Sequence, residues 1–365
     1  MKLIIQPDDG PASLLSALKN ASKSIEIAIF RFDRSDVEAA LKTAVSRGVK
    51  VTALIADMNR GGEKNLRKLE TRFLEAGITV ARTDDNLVRY HDKMIIVDRR
   101  VLHMLSFNFT HLDIDHSRGF GIVTKNSRLV QEAAKLFEAD CARRPYSAGT
   151  DSFVVSPANS RRVLRSFLKR AKKQLLIYDP HISDKEMIRI LQERQKAGVE
   201  IRVIGKAGGR SDLRAAKLTR MRLHTRTILR DGHQAFVGSQ SLRPPELDSR
   251  REAGLIVRDT KIVKKLLATF ESDWENTNGS AKPKNRKKED SSAEIARDAS
   301  AKAVAVLVQE LHPLAHSVKK AVKKAVAQTG DEILKDKAVR STMKKVVKKA
   351  VKQAVKEAVN EAAKT

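Results

Sequence analysis

The sequence has few of the residues that form disulfides, base-stacking platforms and membrane spans. Its 365 residues include a single cysteine, Cys141, and aromatic residues make up 4% of the chain. One cysteine excludes an internal disulfide, and so few aromatics argue against base stacking as a main source of affinity for nucleic acid. The longest aliphatic run, 303–308, is far shorter than the roughly 18 residues of a spanning helix. We therefore expect no integral membrane segment and, without a secretory leader, a cytoplasmic protein that is free or peripheral to a membrane or the nucleoid.

Positive charge is abundant. Lysine and arginine number 72 against 44 acidic residues, a formal net charge of +28. About 21 basic and 11 acidic residues follow Trp274, so both the body and the tail of the chain are basic. Both should attract polyanions, and an anionic bilayer surface and nucleic acid remain equally open partners.

A short stretch in the first half combines three polar residues with an apolar run. His91 and Lys93 precede Met94–Val97, and Asp98 follows. Residues two apart on an extended chain project from the same face. The pattern therefore predicts an imidazole and an ammonium side by side on a strand.

The same arrangement returns 133 residues later in ungapped register. Two copies over some fifty residues indicate an internal duplication. The second copy consists of His224, Arg226 and Asp231, followed by Ser239 and Ser241, which match Ser106 and Asn108 of the first.

A strand–helix–strand pattern precedes each copy, here at an offset of 150. The sequence therefore predicts an α/β fold of two similar domains, 1–145 and 151–275, each a mixed β-sheet flanked by helices and related by a pseudo-two-fold axis. The first copy has 17 extra residues before His91. We place them in 61–90, as an added helix and strand, and expect the second copy to cross this interval with a basic helix, 212–222.

The duplicated His-x-Lys-x4-Asp motif, at 91–98 and 224–231, resembles the phospholipase D superfamily over residues 1–275. The resemblance implies that both motifs meet in one active site, so that a monomer suffices. It also implies a phosphohistidine mechanism without metal or cofactor. The implied catalytic residues are His91, Lys93, Asp98, His224, Arg226 and Asp231, and the implied phosphate ligands are Ser106, Asn108, Ser239 and Ser241.

The sequence departs from the family pattern at several positions. Arg226 replaces a lysine, Ser241 replaces an asparagine, and Leu105 replaces a glycine. Carboxylates that could orient the histidines are also placed unequally. Glu252 follows the second motif and is expected to support His224, whereas the first copy has a glycine there and would need Asp113 or Asp115 instead.

The resemblance favours a phospholipase D-like phosphodiesterase that hydrolyses a phospholipid headgroup ester to phosphatidic acid. A phosphatidyltransferase of the cardiolipin-synthase type, a nuclease and a non-catalytic phosphate-binding module remain alternatives. His91 is the favoured nucleophile and His224 the favoured acid. The cluster 111–116 resembles a metal site in composition, but a polar loop at the cleft is the preferred interpretation.

The last part of the chain falls outside the resemblance. Residues 276–300 lose all aromatics and predict a disordered linker. Residues 301–365 are rich in lysine, alanine and valine and predict a basic helical tail. Because such a helix has little apolar surface to insert, we expect it to bind nucleic acid or anionic headgroups electrostatically.

Overall fold

The computed structural model describes residues 1–57, 63–208 and 212–277, all within one compact unit, Met1–Lys282. The predicted linker and tail lie outside the described residues from 278 onward. Within the described ranges, no helix is long and apolar enough to cross a membrane.

The first repeat begins with alternating strands and helices and ends with an antiparallel hairpin and a long helix. Its elements are β1 (Lys2–Gln6), α1 (Ala12–Lys19), β2 (Ser24–Ile29), α2 (Ser35–Ser46), β3 (Lys50–Ile55), α3 (Glu63–Glu75), β4 (Thr79–Arg82), β5 (Arg89–Tyr90), β6 (Met94–Val97), β7 (Val101–Leu105), α4 (His111–Asp115), β8 (Ser117–Thr124) and α5 (Ser127–Cys141).

The second repeat follows the same order without a counterpart of α3. Its elements are β9 (Phe153–Ser156), α6 (Ser160–Lys169), β10 (Gln174–Ile182), α7 (Lys185–Lys196), β11 (Glu200–Ala207), β12 (Arg214–Ala216), β13 (Arg222–Leu223), β14 (Arg226–Arg230), β15 (Gln234–Gly238), α8 (Pro244–Asp248), β16 (Arg250–Val257) and α9 (Thr260–Glu275).

The structure confirms the predicted α/β class and the duplication. The added helix of the first repeat is α3. The expected added strand is wrong, because β12 pairs with β11 just as β4 pairs with β3, so β4 has a counterpart in the second repeat. The basic helix expected over 212–222 is wrong, because this interval contains the short strands β12 and β13. Each of these strands bonds to a strand of a sheet, β12 to β11 and β13 to the first two residues of β8, which favours extended backbone over helix.

Two mixed eight-stranded sheets share one strand order. The first runs β1-β8-β7-β6-β2-β3-β4, and the second runs β9-β16-β15-β14-β10-β11-β12. Each sheet also takes one short strand from the opposite repeat. Strand β5 pairs in parallel with β16, and β13 pairs in parallel with β8. The exchange is reciprocal, as a pseudo-two-fold relation requires.

The apolar side chains form one inner and two outer clusters. The inner cluster joins residues of both sheets with α5 and α9, and Tyr178 lies within it between Phe120 and Phe270. The outer clusters lie beneath α1, α2 and α3 in the first repeat and beneath α6 and α7 in the second. The inner cluster therefore holds the two repeats together.

Two buried ion pairs cross between the repeats. Arg118 of β8 contacts Asp273 of α9 with Nε and Nη2 at 2.8 and 2.9 Å. Arg251 of β16 contacts Asp140 of α5 with the same two nitrogens, at 3.2 and 2.9 Å, but both donate to Oδ1. Tyr178 also donates to Asp273, at 2.8 Å. Planar guanidinium groups suit such two-point contacts and fix the relative orientation of the repeats.

We predict that Asp273→Asn lowers the free energy of unfolding by roughly 3 kcal/mol, because it leaves the buried Arg118 with only the exposed Asp8 as an ionic partner. The control is Arg162→Gln, which breaks an exposed pair with Asp151 and should cost less than about 1 kcal/mol. Urea unfolding followed by circular dichroism measures both. Equal losses would show that the cross-repeat pair contributes no more than a surface contact.

Candidate active site

The two motif histidines lie in irregular segments rather than on strands. His91 follows β5 and His224 follows β13, the two exchanged strands. Each histidine amide donates to a carbonyl of the opposite repeat, His91 to Arg251 at 2.7 Å and His224 to Arg118 at 3.1 Å. The predicted placement of His91 and Lys93 on one strand face is therefore wrong. The backbone leaves its own sheet here to pair with the other one.

Each histidine side chain meets a buried carboxylate from the other repeat. His91 Nδ1 lies 2.8 Å from Glu252 Oε2, and His224 Nε2 lies 3.4 Å from Asp113 Oδ2. The expectation that Glu252 supports His224 is corrected, because the strand exchange places His91 beside β16, which contains Glu252. Asp115 supports neither histidine and instead binds Arg34.

The two motif cations lie next to both histidines. The Lys93 side chain is 0% exposed, and its ammonium donates to the His91 carbonyl. Arg226 occupies the matching place, where it donates to the His224 carbonyl at 2.5 Å and to Ser241 Oγ at 3.2 Å. Both cations affect the pKa of each histidine, so the four side chains form one site.

Burial dominates the electrostatics of these groups. It holds the pKa of His91 well below its ordinary value, and Lys93 and Arg226 lower it further. Burial likewise lowers the pKa of His224, where Asp113 opposes the shift. Burial also lowers the pKa of Lys93 to about 7, although Glu252 acts in the opposite direction. Both imidazoles are therefore neutral near pH 7 when no anion is bound, and Lys93 is close to its titration midpoint.

The two supporting carboxylates differ in their own pKa. Burial raises the pKa of Glu252, an effect that Lys93 partly offsets. Burial also acts to raise the pKa of Asp113, but the charge of a protonated His224 and hydrogen bonds from Asn108 outweigh it and lower the pKa overall. Asp113 therefore remains ionised and can stabilise a protonated His224.

The four expected phosphate ligands lie just beyond β7 and β15. Ser106 Oγ accepts from the Phe120 amide at 2.8 Å, and Asn108 Nδ2 donates to Asp113 Oδ2 at 2.6 Å. Ser241 accepts from Arg226, as described above, and Ser239 Oγ accepts from the Ala253 amide at 3.2 Å. Their contact with a phosphate group remains a prediction.

The motif aspartates are not part of this site. Asp98 accepts hydrogen bonds from the backbone amides of 22–24, and Asp231 accepts them from those of 172–174. Both lie in turns at the ends of β6 and β14 opposite the histidines. The catalytic role expected for them is corrected to a structural one, in which each carboxylate fixes the turn before a central strand.

The structure also shows the contacts of Leu105 and of the cluster 111–116. Leu105 packs in the outer cluster of the first repeat. Its side chain fills the space over Gly121, where an added Cβ would lie only 2.8 Å from Leu105 Cδ2. In the cluster 111–116, His111 Nδ1 contacts Asp115 at 2.9 Å. No group of three or more histidine, cysteine or acidic residues that could hold a metal occurs in the parts of the chain that the structure describes.

Sequence reasoning missed Glu246. Its carboxylate accepts from the Ser241 amide at 2.8 Å and lies 4.0 Å from Arg226 Nε. In the first repeat, Asp113 accepts from the Asn108 amide at 2.9 Å in the same way. The spacing of 133 residues that relates the motifs also relates Asp113 to Glu246, and this register could have identified it.

A family model described as "Cardiolipin synthase, PLD-like domain" matches residues 14–141 and 164–274. Among curated relatives, the envelope phospholipase of Vaccinia virus is 28% identical over 145 residues, covering 35% of this chain and 37% of the relative. The mitochondrial cardiolipin hydrolase of Mus musculus is 31% identical over 129 residues, covering 34% of this chain and 55% of the relative. The chain thus spans about a third to about half of these relatives' length.

Two solved structures share the fold at low identity. Phosphatidylserine synthase of Haemophilus influenzae gives a TM-score of 0.60 at 11% identity, covering 85% of this chain and 94% of that chain. Polyphosphate kinase of Porphyromonas gingivalis gives a TM-score of 0.65 at 19% identity, covering 82% of this chain and 55% of that chain. With the family model matching more than half of its length in two copies, the chain belongs to the phospholipase D superfamily.

Proposed function

We propose that this chain is a phosphodiesterase that hydrolyses the headgroup ester of a phospholipid to phosphatidic acid through a phosphohistidine. The observation that carries the proposal is the pairing of two buried histidines with carboxylates from opposite repeats, beside Lys93 and Arg226. The phospholipase and cardiolipin hydrolase names of two relatives favour a lipid substrate. A phosphodiester in water resists attack because its oxygens repel nucleophiles, and this site supplies both the nucleophile and the opposing charge.

His91 is the better placed nucleophile. Glu252 accepts a hydrogen bond from Nδ1–H, which leaves the lone pair on Nε2 available for attack. Burial keeps this imidazole neutral. Attack forms a bond from Nε2 to phosphorus, and the bond from phosphorus to the headgroup oxygen breaks. The ionic contact with Glu252 then stabilises the cationic phosphohistidine.

His224 is the better placed acid. Once an anionic phosphodiester enters, it joins Asp113 in favouring the protonated imidazole, which gives its proton to the departing headgroup oxygen. The neutral His224 then takes a proton from water as the water attacks phosphorus, which releases phosphatidic acid and restores His91. Lys93 and Arg226 neutralise the non-bridging oxygens. Because these residues provide nucleophile, acid and charge, we propose that the reaction is metal-independent.

Two other reactions could use the same site. An alcohol in place of water would make the chain a phosphatidyltransferase of the cardiolipin-synthase type. The second alternative is cleavage of nucleic acid by a nuclease, which the net charge of +28 favours. In either lipid or nucleic-acid use, we propose that the basic segment 301–365, outside the described residues, attaches the enzyme to its polyanionic substrate.

We predict that, with EDTA present, the full chain releases headgroups from mixed phospholipid vesicles and that His91→Ala lowers the rate at least about 100-fold, since it removes the nucleophile. His233→Ala, in an exposed turn, is the control and should leave the rate unchanged. Single- and double-stranded DNA are assayed in parallel. Cleavage of DNA alone would replace the lipid proposal with the nuclease, and an unchanged rate in His91→Ala would contradict the assignment of this residue.

We predict that kcat/KM falls as the pH rises through about 7, because Lys93 is charged below its lowered pKa and neutral above it. The side chain neutralises phosphate only in the charged form. In Lys93→Arg the guanidinium stays charged at every pH used, so this alkaline decline should disappear even if the maximum rate is lower. Rates measured from pH 5.5 to 9 test this, and an identical decline in both proteins would assign it to another group.

A further inference from the structure

A small cavity lies in the second repeat, away from the paired histidines. Its volume is about 130 Å³, and its walls come from α6, β14, β15 and β16. Arg230 lines it at the end of β14, whereas Arg226 begins the same strand in the active site. Four residues along a strand span roughly 13 Å, and Ile228 between them is buried in the outer core. The cavity is therefore separate from the active site.

Three arginines line this cavity, which we call the arginine cavity. Arg230 is only 7% exposed, whereas Arg170 and Arg258 are exposed. Arg230 thus lies on the inner side of the cavity and the other two lie near its opening. Three positively charged groups around so small a space repel one another unless an anion lies between them.

The guanidinium of Arg230 is held in place but retains a free donor. Its Nη1 donates to the Phe167 carbonyl at 2.9 Å, its Nη2 donates to Gln234 Oε1, and its Cζ lies 4.4 Å from the centre of the Phe167 ring. Its Nε is buried and has no hydrogen-bond partner among the described residues. A buried donor without a partner is costly. Nη1 and Nη2 each carry a second N–H from which an oxygen-rich ligand in the cavity can accept.

Nearby carboxylates are engaged elsewhere. Asp151 also lines the cavity, where Arg170 acts on its charge, but Arg162 Nη2 lies 2.5 Å from its Oδ1 and is its main partner. The carboxylate of Asp231 accepts from the backbone amides of 172–174. Burial lowers the pKa of Arg230, Asp231 opposes this, and Arg170 and Arg258 lower it further. Positive charge at the cavity is therefore only partly compensated.

The fold does not require these arginines. In the first repeat, the positions equivalent to Arg230, Arg258 and Arg170 are Val97, Lys125 and Asn20. Val97 packs in the outer core of that repeat. A buried valine is thus compatible with the fold at this end of the strand. Burying an arginine at the same place costs free energy, and a bound anion would offset that cost.

We propose that the arginine cavity binds a phosphate group, supplied by inorganic phosphate or by a phosphate monoester. Guanidinium donors match tetrahedral phosphate oxygens in geometry and charge. The cavity volume of about 130 Å³ holds several water molecules and therefore one phosphate group of five heavy atoms. A larger part of a monoester would extend between Arg170 and Arg258 into solvent. This inference is independent of the reaction proposed above.

The test follows the Nε–Hε signal of Arg230 by NMR in the full chain labelled with ¹⁵N-arginine, because this signal reports on the cavity and not on the active site. The signal is assigned from its loss in Arg230→Gln. We expect it to shift and saturate as inorganic phosphate is added. Glycerol 3-phosphate and glycerol are added in separate titrations. A shift at lower concentration with glycerol 3-phosphate identifies a monoester site, and a shift with phosphate alone identifies a site for the free ion.

The deciding variant is Arg170→Gln/Arg258→Gln, whose exposed positions leave folding intact. It should raise the dissociation constant for phosphate at least about tenfold, since each charge-assisted hydrogen bond contributes about a factor of ten or more. Arg189→Gln, which removes an exposed charge from α7 outside the cavity, is the matched control and should bind as the parent chain does. The proposal is overturned if the Arg230 signal does not move, if glycerol moves it as much, or if both variants bind phosphate equally well.

Discussion

The backbone of each repeat fixes the histidine of the other. His91 donates its amide to the carbonyl of Arg251, and His224 donates to that of Arg118. The same two arginines use their side chains to form the buried ion pairs with Asp140 and Asp273. One pair of residues therefore both joins the repeats and sets where the imidazoles lie. Neither repeat can complete the site alone, since each histidine meets a carboxylate that only the partner repeat provides.

Within this symmetric frame the two halves of the site are chemically unequal. His91 faces Glu252, whose carboxylate is 0% exposed, through Nδ1. His224 faces Asp113, whose pKa is lowered overall. A neutral imidazole with a fixed Nδ1–H suits attack, and an imidazole beside an ionised carboxylate suits proton transfer. The division of roles we propose therefore comes from differences between the repeats and not from the shared motif.

The duplication was predictable because it leaves two offsets in the sequence, 150 and 133 residues, and their difference also implied the added helix α3. The partners of the histidines were not predictable in the same way. The position of Glu252 in the sequence predicts that it supports the nearer histidine, His224. Because β5 and β13 pair with the opposite sheets, Glu252 instead lies beside His91. The exchanged strands are each two residues long, so they leave no periodic pattern to read.

The motif aspartates show a second limit. Asp98 and Asp231 share the spacing of the reactive residues, but they follow four- and five-residue strands and so lie at the far end of the sheet. Both have positive φ, 53° and 54°, and bind the amides of a neighbouring turn. Spacing alone cannot separate a residue that touches substrate from one that fixes a turn. Strand length does separate them, because each residue of a strand advances about 3.3 Å.

The central claim is that His91 attacks with support from Glu252, while His224 transfers protons with support from Asp113. Mass spectrometry of the phosphorylated intermediate tests this claim most directly. The chain and its Glu252→Gln and Asp113→Asn variants are mixed with bis(p-nitrophenyl) phosphate and quenched. Because p-nitrophenolate leaves without an acid, Asp113→Asn should accumulate p-nitrophenyl phosphohistidine at His91, and Glu252→Gln should form it slowly. Modification of His224 instead, or rapid formation in Glu252→Gln with none in Asp113→Asn, would contradict the account.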